Sequence, residues 1–120
     1  MNASARIVGN VAIVDLSGTL VLTQGASPLR TELTRLLNAG HKHILVNLNN
    51  VPYVDSSGLG DLLAAKKDAL VAGAELKMLR PSKRVYGLIA ETGLNRVFDC
   101  FNDEQTAVRS FGAGGRAPRQ

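Results

Sequence analysis

The sequence predicts an α/β sandwich, a mixed four- to five-stranded sheet covered mainly on one face by about four helices. Three observations carry that prediction. Apolar runs of strand length alternate with segments of helical periodicity, in the order β-β-α-β-α-β-α-(β)-α. Ser, Pro and Gly stand where helices start and stop. The 120 residues, 45% hydrophobic and 20% charged, suit a single core, which must be aliphatic because aromatics are only 4% and Trp is absent.

Each element has a local reason. Arg6 to Val8 and Val11 to Leu16 read as two strands joined at Gly9-Asn10, a plausible hairpin turn. Val11, Ile13 and Leu16 do not alternate cleanly with polar residues, which predicts burial on both faces. Ser27 is placed as an N-cap and Pro28 at the first helical position. Leu29, Leu33, Leu36 and Leu37 then form one apolar stripe, and Gly40 is the stop. Ile44 to Leu48 is a short apolar strand, and Pro52 blocks its continuation.

A second helix follows Asp55 to Gly60, with Leu59, Leu62, Leu63 and Leu70 as its apolar pattern. Asp61, Lys67 and Asp68 are assigned to its polar face, and Gly73 to its end. Glu75 to Leu79 alternates as a strand. Ser82 caps a third helix through Val85, Leu88 and Ile89, ending at Gly93. Val97 and Phe98 suggest a short edge strand, and Asn102 a cap for a last helix carrying Ala107, Val108 and Phe111. Residues 1–111 are thus expected to form the domain, and the Gly/Arg/Pro-rich segment 112–120 a disordered tail. Strands linked through helices should be parallel, with the first strand antiparallel at the edge.

Composition narrows the function. A net charge of +4 with no basic run interleaved with aromatics argues against nucleic acid as a partner. The lone Cys100 forbids an intrachain disulfide and agrees with a reducing compartment. No signal-peptide plan and no apolar run of spanning length is present, so a cytoplasmic location without membrane insertion is expected.

The chemistry gathers at Asp55-Ser56-Ser57-Gly58-Leu59-Gly60, where a buried strand hands over to a helix. Such a junction collects free backbone N–H groups and a partial positive charge. One reading makes Ser56 or Ser57 the N-cap. Another makes one of them a phosphoacceptor, whose new charge of about −1.5 to −2 acts on whatever docks there. A nucleophile elbow is excluded, because it needs Gly two residues before and two after the Ser, and neither serine has both. Gly58-x-Gly60 lacks the remainder of either phosphate-binding glycine motif and reads as close helix packing. His41 and His43, two apart with no carboxylate or thiolate nearby, are a poor metal site. Lys66-Lys67 and Lys83-Arg84 read as solvated faces that could also meet an acidic partner.

The segment from Asn47 to Gly60, Asn-Leu-Asn-Asn-Val-Pro-Tyr-Val-Asp-Ser-Ser-Gly-Leu-Gly, resembles the central motif of STAS-domain anti-sigma factor antagonists. Gly73-Ala74-Glu75-Leu76 and Leu88-Ile89-Ala90-Glu91-Thr92-Gly93-Leu94 resemble later family segments in the right order, so the likeness spans roughly residues 6 to 111. The resemblance implies a STAS-like sandwich and a non-catalytic binding module that needs no cofactor. It implies that the unphosphorylated chain binds an anti-sigma factor, itself a serine kinase, and so frees a sigma factor. The implied phosphoacceptor is Ser56, directly after Asp55, and a serine phosphatase would reverse the modification. Asp55, Ser57, Gly58 and Leu59 are implied as contact or shaping residues. The family's Gly-Glu-Leu-Asp loop, which helps meet the kinase, is here Gly18-Thr19-Leu20-Val21, so the partner-facing positions Thr19 and Val21 lack their acids. The alternative is a STAS scaffold subunit of a signalling complex or of a lipid-transporter ATPase.

Overall fold

The structure, a computed structural model, describes residues 2–19 and 27–111. The expected tail, 112–120, and Val21 therefore lie outside the described residues. The elements are β1 (Asn2–Val8), β2 (Val11–Ser17), α1 (Pro28–Asn38), β3 (His43–Asn50) and α2 (Ser56–Val71). They continue with β4 (Glu75–Leu79), α3 (Lys83–Glu91), a 3-10 turn (Leu94–Arg96), β5 (Cys100–Phe101) and α4 (Glu104–Ser110).

The five strands lie in sequence order, β1-β2-β3-β4-β5. β1 pairs antiparallel with β2 across the Gly9-Asn10 turn, with Val8 opposite Val11, and the remaining pairs are parallel. Gly9 sits at φ +62°, a conformation the tight hairpin requires and glycine adopts without strain. The sheet is covered unequally. Ala12, Val14, Ile44, Val46, Leu76 and Met78 face α1, α2 and α3 in the larger core. Their sequence neighbours Val11, Ile13, Leu45 and Leu79 pack on the other side with Ala107 of α4 and with Phe111, just past its end. The period of two along each strand sends adjacent residues to opposite cores, which is why these strands are apolar throughout.

The N-terminal signals of α1 act as expected. The Ser27 hydroxyl accepts the Arg30 amide at 3.1 Å, and Pro28 opens the helix. Ser82 caps α3 in the same way through Val85.

Elsewhere the structure corrects the reading. β1 begins at Asn2 rather than Arg6, because Asn2 to Ala5 pair with Ser17 to Val14 of β2; small residues of low strand propensity hid that pairing. The last strand is Cys100–Phe101, not Val97–Phe98. Phe98 instead fills the larger core, and its amide donates to the Leu94 carbonyl at 3.0 Å. Asp103, not Asn102, caps α4 by accepting the Thr106 amide at 2.9 Å.

In α2 the buried face is Leu59, Leu62, Ala65 and Ala69, while Leu63 and Leu70 point to solvent. Two of the four inward positions are alanines, so the leucine pattern alone does not mark the inner face. Asp61 is buried at 5% exposure rather than solvated, and it accepts the Ser27 hydroxyl at 2.7 Å. Beside it, Arg30 pairs with Asp68 at 2.7 Å, so a buried and an exposed polar contact both link α1 to α2. Gly60 has open space where a Cβ would stand, so it does not mark close packing. At the sheet's far edge Arg6 of β1 bridges Asp15 of β2 and Glu104 of α4, each at 2.7 Å.

Candidate functional site

In a parallel sheet the loops that leave the strands' C-terminal ends gather on one rim. The chain leaves β3 at Asn50, and Val51 and Val54 turn inward at 1% and 3% exposure. These two anchors push Tyr53 between them out to 37% exposure and deliver Asp55 to the start of α2. The loop after β2 reaches the same rim, because the Gly18 amide donates to the Asn50 carbonyl at 3.0 Å. Gly18 holds φ +101°, which a side chain would strain, and next to it Thr19 is exposed.

Asp55 is the N-cap of α2. Its backbone is extended, its carboxylate accepts the Gly58 amide at 2.7 Å, and its carbonyl accepts the Leu59 amide at 2.8 Å. The reading of Ser56 or Ser57 as the cap is thereby corrected. With the cap supplied by the preceding residue, both serines occupy the first turn with exposed side chains. Gly58 is buried and Leu59 is 5% exposed within the larger core. The structure thus brings Asp55, Ser56, Ser57 and Thr19 to one rim, and it turns Gly58 and Leu59 inward, where they shape the turn.

Sequence reasoning read Arg84 as part of a solvated face and gave Tyr53 no role of its own, yet the two meet on this rim. Arg84, in the first turn of α3, stacks its guanidinium over the Tyr53 ring at 4.8 Å from the centroid. Arg84, Tyr53, Asp55, Ser56 and Glu91 line one shallow groove of about 400 Å³. The signal was available: α3 follows a parallel strand, so its first turn must lie on the rim that carries the α2 start.

The other candidates lie elsewhere or do other work. His41 and His43 stand at the opposite end of β3, where the His43 ring lies 5.3 Å from that of Phe111. Among the described residues no group of His, Cys, Asp and Glu is arranged to hold a metal ion. Lys42 donates to the Ala72 carbonyl at 2.7 Å and so satisfies the end of α2. Burial, with help from Asp99, pushes the Cys100 thiol up to about 11, which leaves little reactive thiolate at neutral pH. Among the described residues no helix is long and apolar enough to cross a membrane.

Comparison with known proteins agrees with this architecture. The STAS domain family matches residues 2–107. The anti-sigma F factor antagonist of Paenibacillus polymyxa is 30% identical over 67 residues, which cover 56% of this chain and 57% of that protein. The aligned stretch therefore spans little more than half of that relative's length.

Among solved structures, an anti-sigma factor antagonist from Mycobacterium paratuberculosis superposes with a TM-score of 0.75 at 18% identity, covering 91% of this chain and 92% of the other. The Bacillus cell fate determinant SpoIIAA in its phosphorylated form gives 0.65 at 19% identity, covering 88% and 96%. A sulfate transporter family protein from Wolinella succinogenes gives 0.66 at 18% identity, covering 85% and 84%, so the fold is shared by proteins of different roles. The five-stranded mixed sheet, the rim at its strand ends and the match over residues 2–107 lead to one conclusion: this chain belongs to the STAS-domain family.

Proposed function

We propose that the chain is an anti-sigma factor antagonist controlled by phosphorylation of Ser56. The carrying observation is that Asp55 caps α2 and leaves the Ser56 hydroxyl exposed on a rim that a partner can reach. The name of the Paenibacillus relative supports the antagonist part of this reading. In the unmodified state the rim binds an anti-sigma factor that is also a serine kinase, and a sigma factor is released. The kinase transfers the γ-phosphoryl group of ATP to Ser56. The Oγ–P bond forms as the bond to ADP breaks, and the hydroxyl proton leaves to the kinase base or solvent.

The phosphate adds about −1.5 to −2 charges beside Asp55. A partner surface fitted to a neutral hydroxyl then meets repulsion and a desolvation cost. A loss of about 3 kcal/mol weakens binding roughly a hundredfold. A serine phosphatase resets the switch. The chain acts as substrate and binding module in the cytoplasm, without catalysis of its own. Thr19 carries no acid where the family meets its kinase, which favours a second reading, a scaffold subunit of a signalling or lipid-transporter complex.

Incubation with the cognate anti-sigma kinase and ATP, followed by intact-mass measurement and site mapping, tests the proposal. The expected result is one phosphate, on Ser56. An unmodified Ser56, with a kinase active on another antagonist, would overturn it, and co-purification with a transporter ATPase would favour the second reading.

A further inference from the structure

The rim carries a cation, Arg84, that the phosphoswitch leaves unexplained. Arg84 is exposed, lies on α3 rather than on the phosphoacceptor helix, and forms no salt bridge among the described residues. Its guanidinium lies over the Tyr53 ring, 4.8 Å from the centroid, within the groove that Ser56 lines. A ring face engages the guanidinium through its charge and takes up none of its strong hydrogen-bond donors, so these remain available. Those donors form a planar fork that matches phosphate oxygens.

We infer that Arg84 is the internal counter-ion of phosphorylated Ser56, turning from the open groove to clasp the phosphate. The inference rests on Ser56 being the phosphoacceptor and adds what becomes of the new charge. The phosphate is held in cis, and the same event removes from the rim a cation that a partner's carboxylate could otherwise use. Modification therefore changes two groups on the binding surface, Ser56 and Arg84. The pair also explains how a groove that already holds the carboxylates of Asp55 and Glu91 accommodates a dianion.

The full chain with phosphoserine installed at position 56 during translation allows a test without any kinase. The phosphorus resonance, followed through a pH titration, reports the second ionisation of the phosphate. Asp55 and Glu91 push that pKa up, while Arg84 and the N-terminal end of α2 pull it down. Arg84→Ala should raise it by about half a unit or more, and Arg84→Lys should give an intermediate value. Phosphoserine placed instead at 57 should respond less to Arg84→Ala. The inference is overturned if Arg84→Ala leaves the phosphoserine-56 titration in place, or if both sites shift equally. Arg84 is exposed, so neither variant threatens folding. The titration involves no partner. Failure of the phosphoswitch itself would appear separately, as a phosphoserine-56 chain that still binds the anti-sigma factor.

Discussion

The Asp55 carboxylate accepts the Gly58 amide at 2.7 Å, and this bond decides what the two following serines can do. A hydroxyl engaged in a cap would have to leave its amide before accepting a phosphoryl group, and the helix would lose its start. Because Asp55 holds the first turn, Ser56 can change its charge while α2 keeps its cap.

Asp55→Ala should therefore destabilise the fold by about 1 kcal/mol through loss of the cap, whereas Ser56→Ala should stay within about 0.5 kcal/mol of the parent. Urea unfolding of the two variants checks this, with hydrogen exchange of the Gly58 amide as a local probe. A larger loss at Ser56 would make Ser56 the cap.

Gly60 stands in the first two turns of α2 with open space at its Cβ position. Gly60→Ala should raise stability by about 0.5–1 kcal/mol by restricting the unfolded chain, visible as a higher urea midpoint. A lower midpoint would show that a neighbour needs the space.

The edge cluster around Arg6 predicts an acid-sensitive fold. Burial pushes the Asp15 carboxyl up, but hydrogen bonds from Arg6 and Asn47 outweigh it and hold it below the usual value. The Arg6 hydrogen bond holds Glu104 low as well. Groups with depressed folded pKa values contribute stability that is complete above their unfolded values, about 3.9 to 4.3. That contribution is lost as pH falls through the lower folded values. Unfolding free energy followed below about pH 5 should drop more gently in Arg6→Met than in the parent; an unchanged slope would mean that this exposed cluster contributes nothing measurable.

The regular parts of the fold were legible because each carries its own signal: Ser27-Pro28 opens α1, and Ile44, Leu45, Val46 and Leu48 make β3 apolar but for Asn47. The junction at Ser56 was legible from its motif. Its cap was not, because Asp55, Ser56 and Ser57 are all good caps, and only the backbone angles select among them. Asp61 looked solvated because its partner, Ser27, lies 34 residues away. Arg84 looked like a surface charge for the same kind of reason, since its neighbour Tyr53 lies in the loop between β3 and α2, 31 residues earlier. Polar contacts across elements leave no period in a sequence.

The most direct test compares calorimetric binding of the cognate anti-sigma factor to the unmodified chain and to the chain carrying phosphoserine at position 56. The account predicts binding by the unmodified chain and a loss of roughly a hundredfold or more, about 3 kcal/mol, on phosphorylation. Equal affinities for the two forms would contradict it.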